Sequence, residues 1–222
     1  IALLTTLTVF LFSVVFSDAY MIADDIEKLM AAANVDAGQS LTAMPLTQEN
    51  IQELESKYNL AIEENGYMDV SARDKSYRIY KPSEKINKYQ LLEGSDIQNK
   101  YEILLDRDFA SSNNISVGSN YQIDGVDFKV VGLAIRPDYI YSPKNLTDAW
   151  VDKANFALVQ VDAETYNELR ASKQWNGSAY YSVVYNDDAS AEGFRRCIYD
   201  SYGAYSYMSA DANVRISKPQ NA

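Results

Sequence analysis

The side chains that most enzymes use to move protons or hold metals are nearly missing from this chain: it has no histidine, and Cys197 is its one cysteine. Ser-His-Asp and Cys-His catalysis, Cys/His zinc sites and internal disulfides are excluded together. Carboxylates remain. Asp106 and Asp108 bracket Arg107 at the end of an expected strand, and such a pair could do acid/base work or hold a cation. The arginine between them neutralises either one, so a salt-bridged turn describes them better. Asp187-Asp188 stands between an expected strand and an expected helix, where aspartate caps a helix N-terminus. Cys197 falls at helical spacing from Phe194 and reads as a small core hydrophobe. No glycine-rich run precedes a Lys-Ser/Thr pair, so any ATPase belongs to another chain or another part of the gene. The expectation is a chain that is not an enzyme and needs no cofactor and no metal.

Binding chemistry is better represented. Tyrosine occurs 18 times, with concentrations at Tyr139/Tyr141, Tyr180/Tyr181/Tyr185 and Tyr199/Tyr202/Tyr205/Tyr207. A tyrosine ring packs while its hydroxyl stays wet, which suits half-buried sheet surface, and the same property makes it an interface anchor. Two segments read as contact loops: Ser111–Ser116, with Asn113 and Asn114, and Pro137–Pro143, where Asp138, Tyr139 and Tyr141 sit between prolines that limit the loop's entropy. With 31 acidic against 20 basic residues the net charge is -11, which disfavours phosphate backbones and anionic headgroups at long range. Nucleic acid is not an expected partner.

The elements that must position these residues begin with an uncharged run, Ile1–Ser17, of membrane type. A helical span needs about 20 apolar residues, so the run reads as one cut short at its N-terminal end. A signal-peptide remnant and a buried core helix are the other readings. Tyr20 at an interfacial position and the acidic flank Asp18, Asp24, Asp25 and Glu27 favour the span, with the following domain facing outward. Leu3, Leu4, Phe10, Phe12, Phe16 and Tyr20 form the expected membrane segment. Ile22, Ile26, Leu29, Met30 and Ala33 then continue at helical spacing as a stalk, which Asn34–Ser40 ends.

Beyond it, Thr47 caps an expected helix over Gln48–Tyr58, and Leu60–Ile62, Tyr67–Val70 and Tyr77–Tyr80 read as short strands. Tyr101–Leu105 is a strand, Asp106–Ser116 a polar connection, and Tyr121–Val130 a hairpin whose Asp124-Gly125 supplies the two positive-φ positions of a type I′ turn. Tyr121, Ile123, Val126, Phe128 and Val130 then share its buried face. The last third reads strand (Phe156–Val161), helix (Ala163–Ala171, capped by Asp162), strand (Tyr180–Tyr185), helix (Glu192–Tyr202), strand (Tyr205–Ser209). The pattern predicts an α+β fold in three parts: helix and stalk (1–37), an α/β lobe (38–66 and 146–222), and a β-rich insert (67–145).

Pro45–Ile51 opening a helix, Glu102–Ala110, and the run Val117-Gly-Ser-Asn-Tyr-Gln-Ile-Asp-Gly-Val-Asp-Phe-Lys-Val-Val-Gly132 resemble, in this order after a membrane-type helix, the extracytoplasmic domain of MacB/FtsX-like ABC transporter permeases. Asn120 stands where an acidic residue is common in that run. The resemblance implies a ferredoxin-like α/β lobe interrupted by a β-rich insert, on the outer face of a bacterial cell membrane. It also implies a dimeric permease, a cytoplasmic ATP-binding subunit or domain, and exterior domains that turn stalk motion into export or release of a peptide, lipoprotein or envelope partner. A membrane-anchored sensor or adhesion domain is the alternative.

Overall fold

The computed structural model describes residues 25–139, 152–187 and 190–209. The expected membrane segment, Tyr141 and Asp188 lie outside the described residues. Among those described, no helix is long and apolar enough to cross a membrane.

The chain enters as a helix over residues 25–32 (α1). It then forms β1 (Gly38–Thr42), α2 (Gln48–Tyr58), the long β2 (Leu60–Ala72), β3 (Lys75–Tyr80), β4 (Gln90–Gly94), β5 (Glu102–Asp106) and α3 (Arg107–Ser112). β6 (Asn120–Ile123), β7 (Val126–Ile135), a 3-10 turn (Pro137–Tyr139), β8 (Phe156–Gln160), α4 (Ala163–Ser172), β9 (Asn176–Tyr185), α5 (Ser190–Tyr202) and β10 (Ala204–Ser209) follow. The ten strands among the described residues join one sheet in the order β10-β1-β9-β2-β3-β8-β5-β7-β4, with β6 on β7.

At one end, β1-α2-β2 and β9-α5-β10 make a βαββαβ unit whose four strands stand antiparallel as β10-β1-β9-β2. Everything from β3 to α4 is inserted between β2 and β9. β8 and α4, grouped by sequence with the flanking α/β lobe, sit inside this insertion: β8 pairs with β3 and β5, and Tyr166 and Leu169 of α4 enter its core. β2 joins the two parts. Its first half pairs only with β9, and from Tyr67 it also pairs with β3.

The alternation of β2 shows how the sheet is covered. Leu60, Ile62, Met68 and Val70 face one side, where α2 and α5 close a core of Leu54, Ile62, Val183, Phe194 and Ile198. Further along the same side, α3 and α4 close a second core with Met68, Ile79, Leu105, Phe109, Phe128 and Val159. Gly66 lies between them because a Cβ there would stand 2.9 Å from the Tyr166 hydroxyl oxygen. The opposite side carries Tyr80, Tyr139, Phe156, Leu158 and Tyr180, and beside them an unusual set of buried polar groups.

Several expectations change at this level. Leu60–Ile62 and Tyr67–Val70 are one strand, since ten successive β9 partners carry the backbone through polar Glu63-Glu64-Asn65. Asn34–Ser40 does more than end the stalk: it runs into the strand Gly38–Thr42, with β10 on one side and β9 on the other. The Asp106–Ser116 connection contains α3, whose N-cap Asp106 accepts from the Phe109 N–H. The short edge strand β4 has no sequence counterpart. In contrast, α2 has the expected Thr47 cap, reinforced by a reciprocal Asn50 bond, and Asp124 (φ 46°) and Gly125 (φ 78°) close the expected hairpin.

Candidate functional site

Two places combine position with specific chemistry. The first is the joint where α1 meets the sheet. Asn34 takes a left-handed conformation (φ 51°); its N–H donates to Ala31 O (3.1 Å), and the Val35 N–H donates to Met30 O (3.1 Å). This pair of bonds ends the helix in a Schellman turn, for which asparagine is the usual substitute for glycine. Two residues later the Ala37 N–H donates to Val183 O (2.8 Å), so helix and sheet are separated by no slack chain.

The joint is also tied sideways to the connector between β3 and β4. The Asn87 and Lys88 N–H groups donate to Asn34 O (3.1 Å) and Ala33 O (2.9 Å), and Asn34 Nδ2 donates to Lys85 O (2.9 Å). Behind them Asp36, 2% exposed, accepts from Asn87 Nδ2 (2.8 Å) and Ser182 Oγ, while its own N–H donates to Asn87 Oδ1 (2.9 Å). Burial, then the Asp138 charge, push the Asp36 carboxyl up to about 6 against the pull of these donors. Ser182 Oγ also accepts from Asn65 Nδ2 (2.9 Å), and Ser83 Oγ donates to Asn65 Oδ1 (3.1 Å). The connector is pinned a third time by Glu63, whose carboxylate accepts from the N–H groups of Glu84 (2.6 Å), Lys85 (2.8 Å) and Ile86 (2.6 Å).

Arg136 and Asp138 extend this network. They form a fully buried bidentate pair, 3.0 Å at each contact, with the guanidinium 4.0 Å from the Tyr80 ring centre. Asp138 and Tyr139, expected as exposed contact residues, are therefore interior: Asp138 neutralises Arg136, and the Tyr139 hydroxyl accepts from Arg78 (2.7 Å). Arg78 is itself clamped by Asp69 (2.7 and 2.8 Å) and lies over the Tyr67 ring.

The second place is a groove of about 610 Å³ at the far end of β2. Ala72 is ten residues along the strand from Ile62, the partner of Val183, hence about 33 Å away. The Arg73-Asp74 turn, the end of α3 and the Asp124-Gly125 turn wall the groove, with Tyr77, Asn113, Ile115 and Tyr121 among its lining. The Tyr77 and Tyr121 hydroxyls bond to each other (2.8 Å), Lys75 Nζ donates to Asn113 Oδ1 (2.7 Å), and Trp175 Nε1 donates to Asp124 Oδ2 (2.7 Å). These bonds fix the walls in advance of any partner. Asn113 is half-buried in this framework and Asn114 (φ 55°) is exposed beside it, so the first expected contact loop does reach a surface.

No family model matches the chain, and no curated protein matches it. Among solved structures it is similar to the crystal structure of the periplasmic region of MacB from Actinobacillus actinomycetemcomitans. The TM-score is 0.46 at 10% identity, over 84% of this chain and 94% of that one.

The carboxylates considered for chemistry are accounted for locally. Asp106 caps α3, Asp108 pairs with Lys153 and Arg107, and Asp187 accepts from Ser190 N–H (3.0 Å) at the start of α5. Among the described residues no three His, Cys, Asp or Glu side chains gather as around a metal ion. Sequence reasoning did not single out Asp36, Asn87 or Ser182. Each is an isolated polar residue in an unremarkable stretch, and only the tertiary fold brings them together.

Proposed function

We propose that this chain is an extracytoplasmic domain of an ABC transporter permease of the MacB/FtsX type. It couples ATP-driven movement of membrane helices to export or release of a peptide, lipoprotein or envelope partner. The observation that carries the reading is the joint: α1 ends in a Schellman turn bonded directly to both the sheet and the β3–β4 connector. A flexible linker would absorb a displacement of the helix, whereas this joint passes it on. The resemblance of Val117–Gly132 to the permease motif supports the reading, as does the placement of that run on the β6–β7 hairpin.

On this reading the βαββαβ unit is a ferredoxin-like lobe that receives the stalk, and the insertion is a β-rich lobe that presents the distal groove to the partner. The ATP-binding subunit or domain and the second permease copy engage the membrane part. A membrane-anchored sensor or adhesion domain is the competing reading, favoured by the preformed groove alone. Affinity capture of the full-length gene product from membranes separates the two. An ATP-binding protein recovered with it, or fused to it, is the expected result; a product with neither overturns the permease reading.

A further inference from the structure

We propose that Asp36, with Asn87 and Ser182, is a protonation-responsive latch that sets how firmly the end of α1 is held to the connector leading into β4. The position is the first ground. Asp36 lies two residues beyond the helix-ending Asn34, and its side chain and N–H both engage Asn87, whose own N–H holds Asn34 O. One side chain thus clamps helix end, connector and, through Ser182, strand β9. The connector runs directly into Gln90–Gly94, the outermost strand of the inserted part, so its hold on α1 governs a path that bypasses the β1–β9 ladder.

The surroundings are the second ground. Asp36 Oδ1 accepts no well-formed hydrogen bond among the described residues, with the Gln39 side chain close enough to favour the anion but not aligned on it, although the carboxyl is nearly sealed from solvent. The groups around Asp36 are Gln39 from β1, Ser182 and Tyr180 from β9, Asn87 from the connector, and Asp138, paired with Arg136, from the segment after β7. Glu63, the carboxylate on β2, is taken up by three connector N–H groups. Arg136 is spent on Asp138, so no cation in this set is left to neutralise Asp36. A buried carboxylate in that setting is disfavoured as an anion. With its folded-state value raised above the unfolded one, it contributes stability below about pH 4 that is lost as pH rises through about 6. The latch is tight when protonated and loosened when charged. The latch does not depend on the permease reading; only its use in gating transmission rests on that reading.

Amide hydrogen exchange read by NMR on the whole chain in detergent tests it, with rates converted to protection factors to remove intrinsic pH effects. Between about pH 7.5 and about pH 5, protection of the Asn87 and Lys88 amides is expected to rise about tenfold. Asp36→Asn is expected to be flat and already more protected at the higher pH. Wild-type amides without this rise, or an equal rise in Asp36→Asn, overturn the latch and leave the permease reading untouched. Should Asp36→Asn fail to fold, Ser182→Ala retains the acid but removes a donor that favours its anion. The rise must then begin at a higher pH, and an unchanged midpoint overturns the proposal.

Discussion

At the scale of single residues, the interior of this domain is held by charges that composition would place outside. Arg136 and Asp138 are both sealed, so removing one partner strands the other. Asp138→Asn is expected to cost about 3–5 kcal/mol in urea unfolding, because an unpaired buried guanidinium remains. Asp36 works in the opposite sense. Its carboxyl is pushed up to about 6, so at neutral pH the folded state carries a charge it would rather not have. Asp36→Asn is expected to be more stable than wild type at about pH 7.5, by a margin on the order of 3 kcal/mol, and the margin should close below about pH 4. Paired melts across that range check the sign. None of this was readable in the sequence. Asp138 and Tyr139 stand in a Pro-bounded segment with every mark of an exposed loop, and only the placement of Arg136 and Arg78 draws them inside.

At the scale of elements, local signals were legible and long-range ones were not. Thr47 before Gln48, Asp162 before Ala163, and Asp124-Gly125 each satisfy backbone groups within a few residues, so they mark α2, α4 and the β6–β7 hairpin directly. Thr47→Ala is expected to cost about 1 kcal/mol, measured by urea unfolding. β1 and β4 are short and owe their existence to partners far away in the chain. β4 depends on Gly132, the last residue of the permease-like run: a Cβ there would lie 2.8 Å from Glu93 O and from Ser95 O. Gly132→Ala is expected to force β4 away from β7, with a loss of about 1–3 kcal/mol and faster amide exchange confined to residues 90–95. Unchanged exchange there would show that the close approach is not what holds the edge strand.

At the scale of the whole molecule, the insertion inside the βαββαβ unit makes β2 a beam common to both parts. α2, α3, α4 and α5 cover one side of the sheet along its length, and the other side houses the polar network that meets α1. On the proposed reading, an outward displacement of α1 acts on a stiff body at one end of β2, and the groove bearing Tyr77, Asn113 and Tyr121 lies toward the other. The sequence conveyed the order of parts and the resemblance, yet it assigned β8 and α4 to the flanking lobe, because a β-α-β rhythm records neighbours in the chain and not neighbours in the sheet. The most direct test is a spin-label distance between Glu27 on α1 and Asn114 at the groove, in the full-length gene product with Cys197 replaced, measured with the proposed ATP-binding partner, with and without ATP. A single narrow distance that survives ATP addition is expected for a stalk and domain moving as one piece. A broad distribution, or a helix that swings against the domain when ATP binds, would contradict the account.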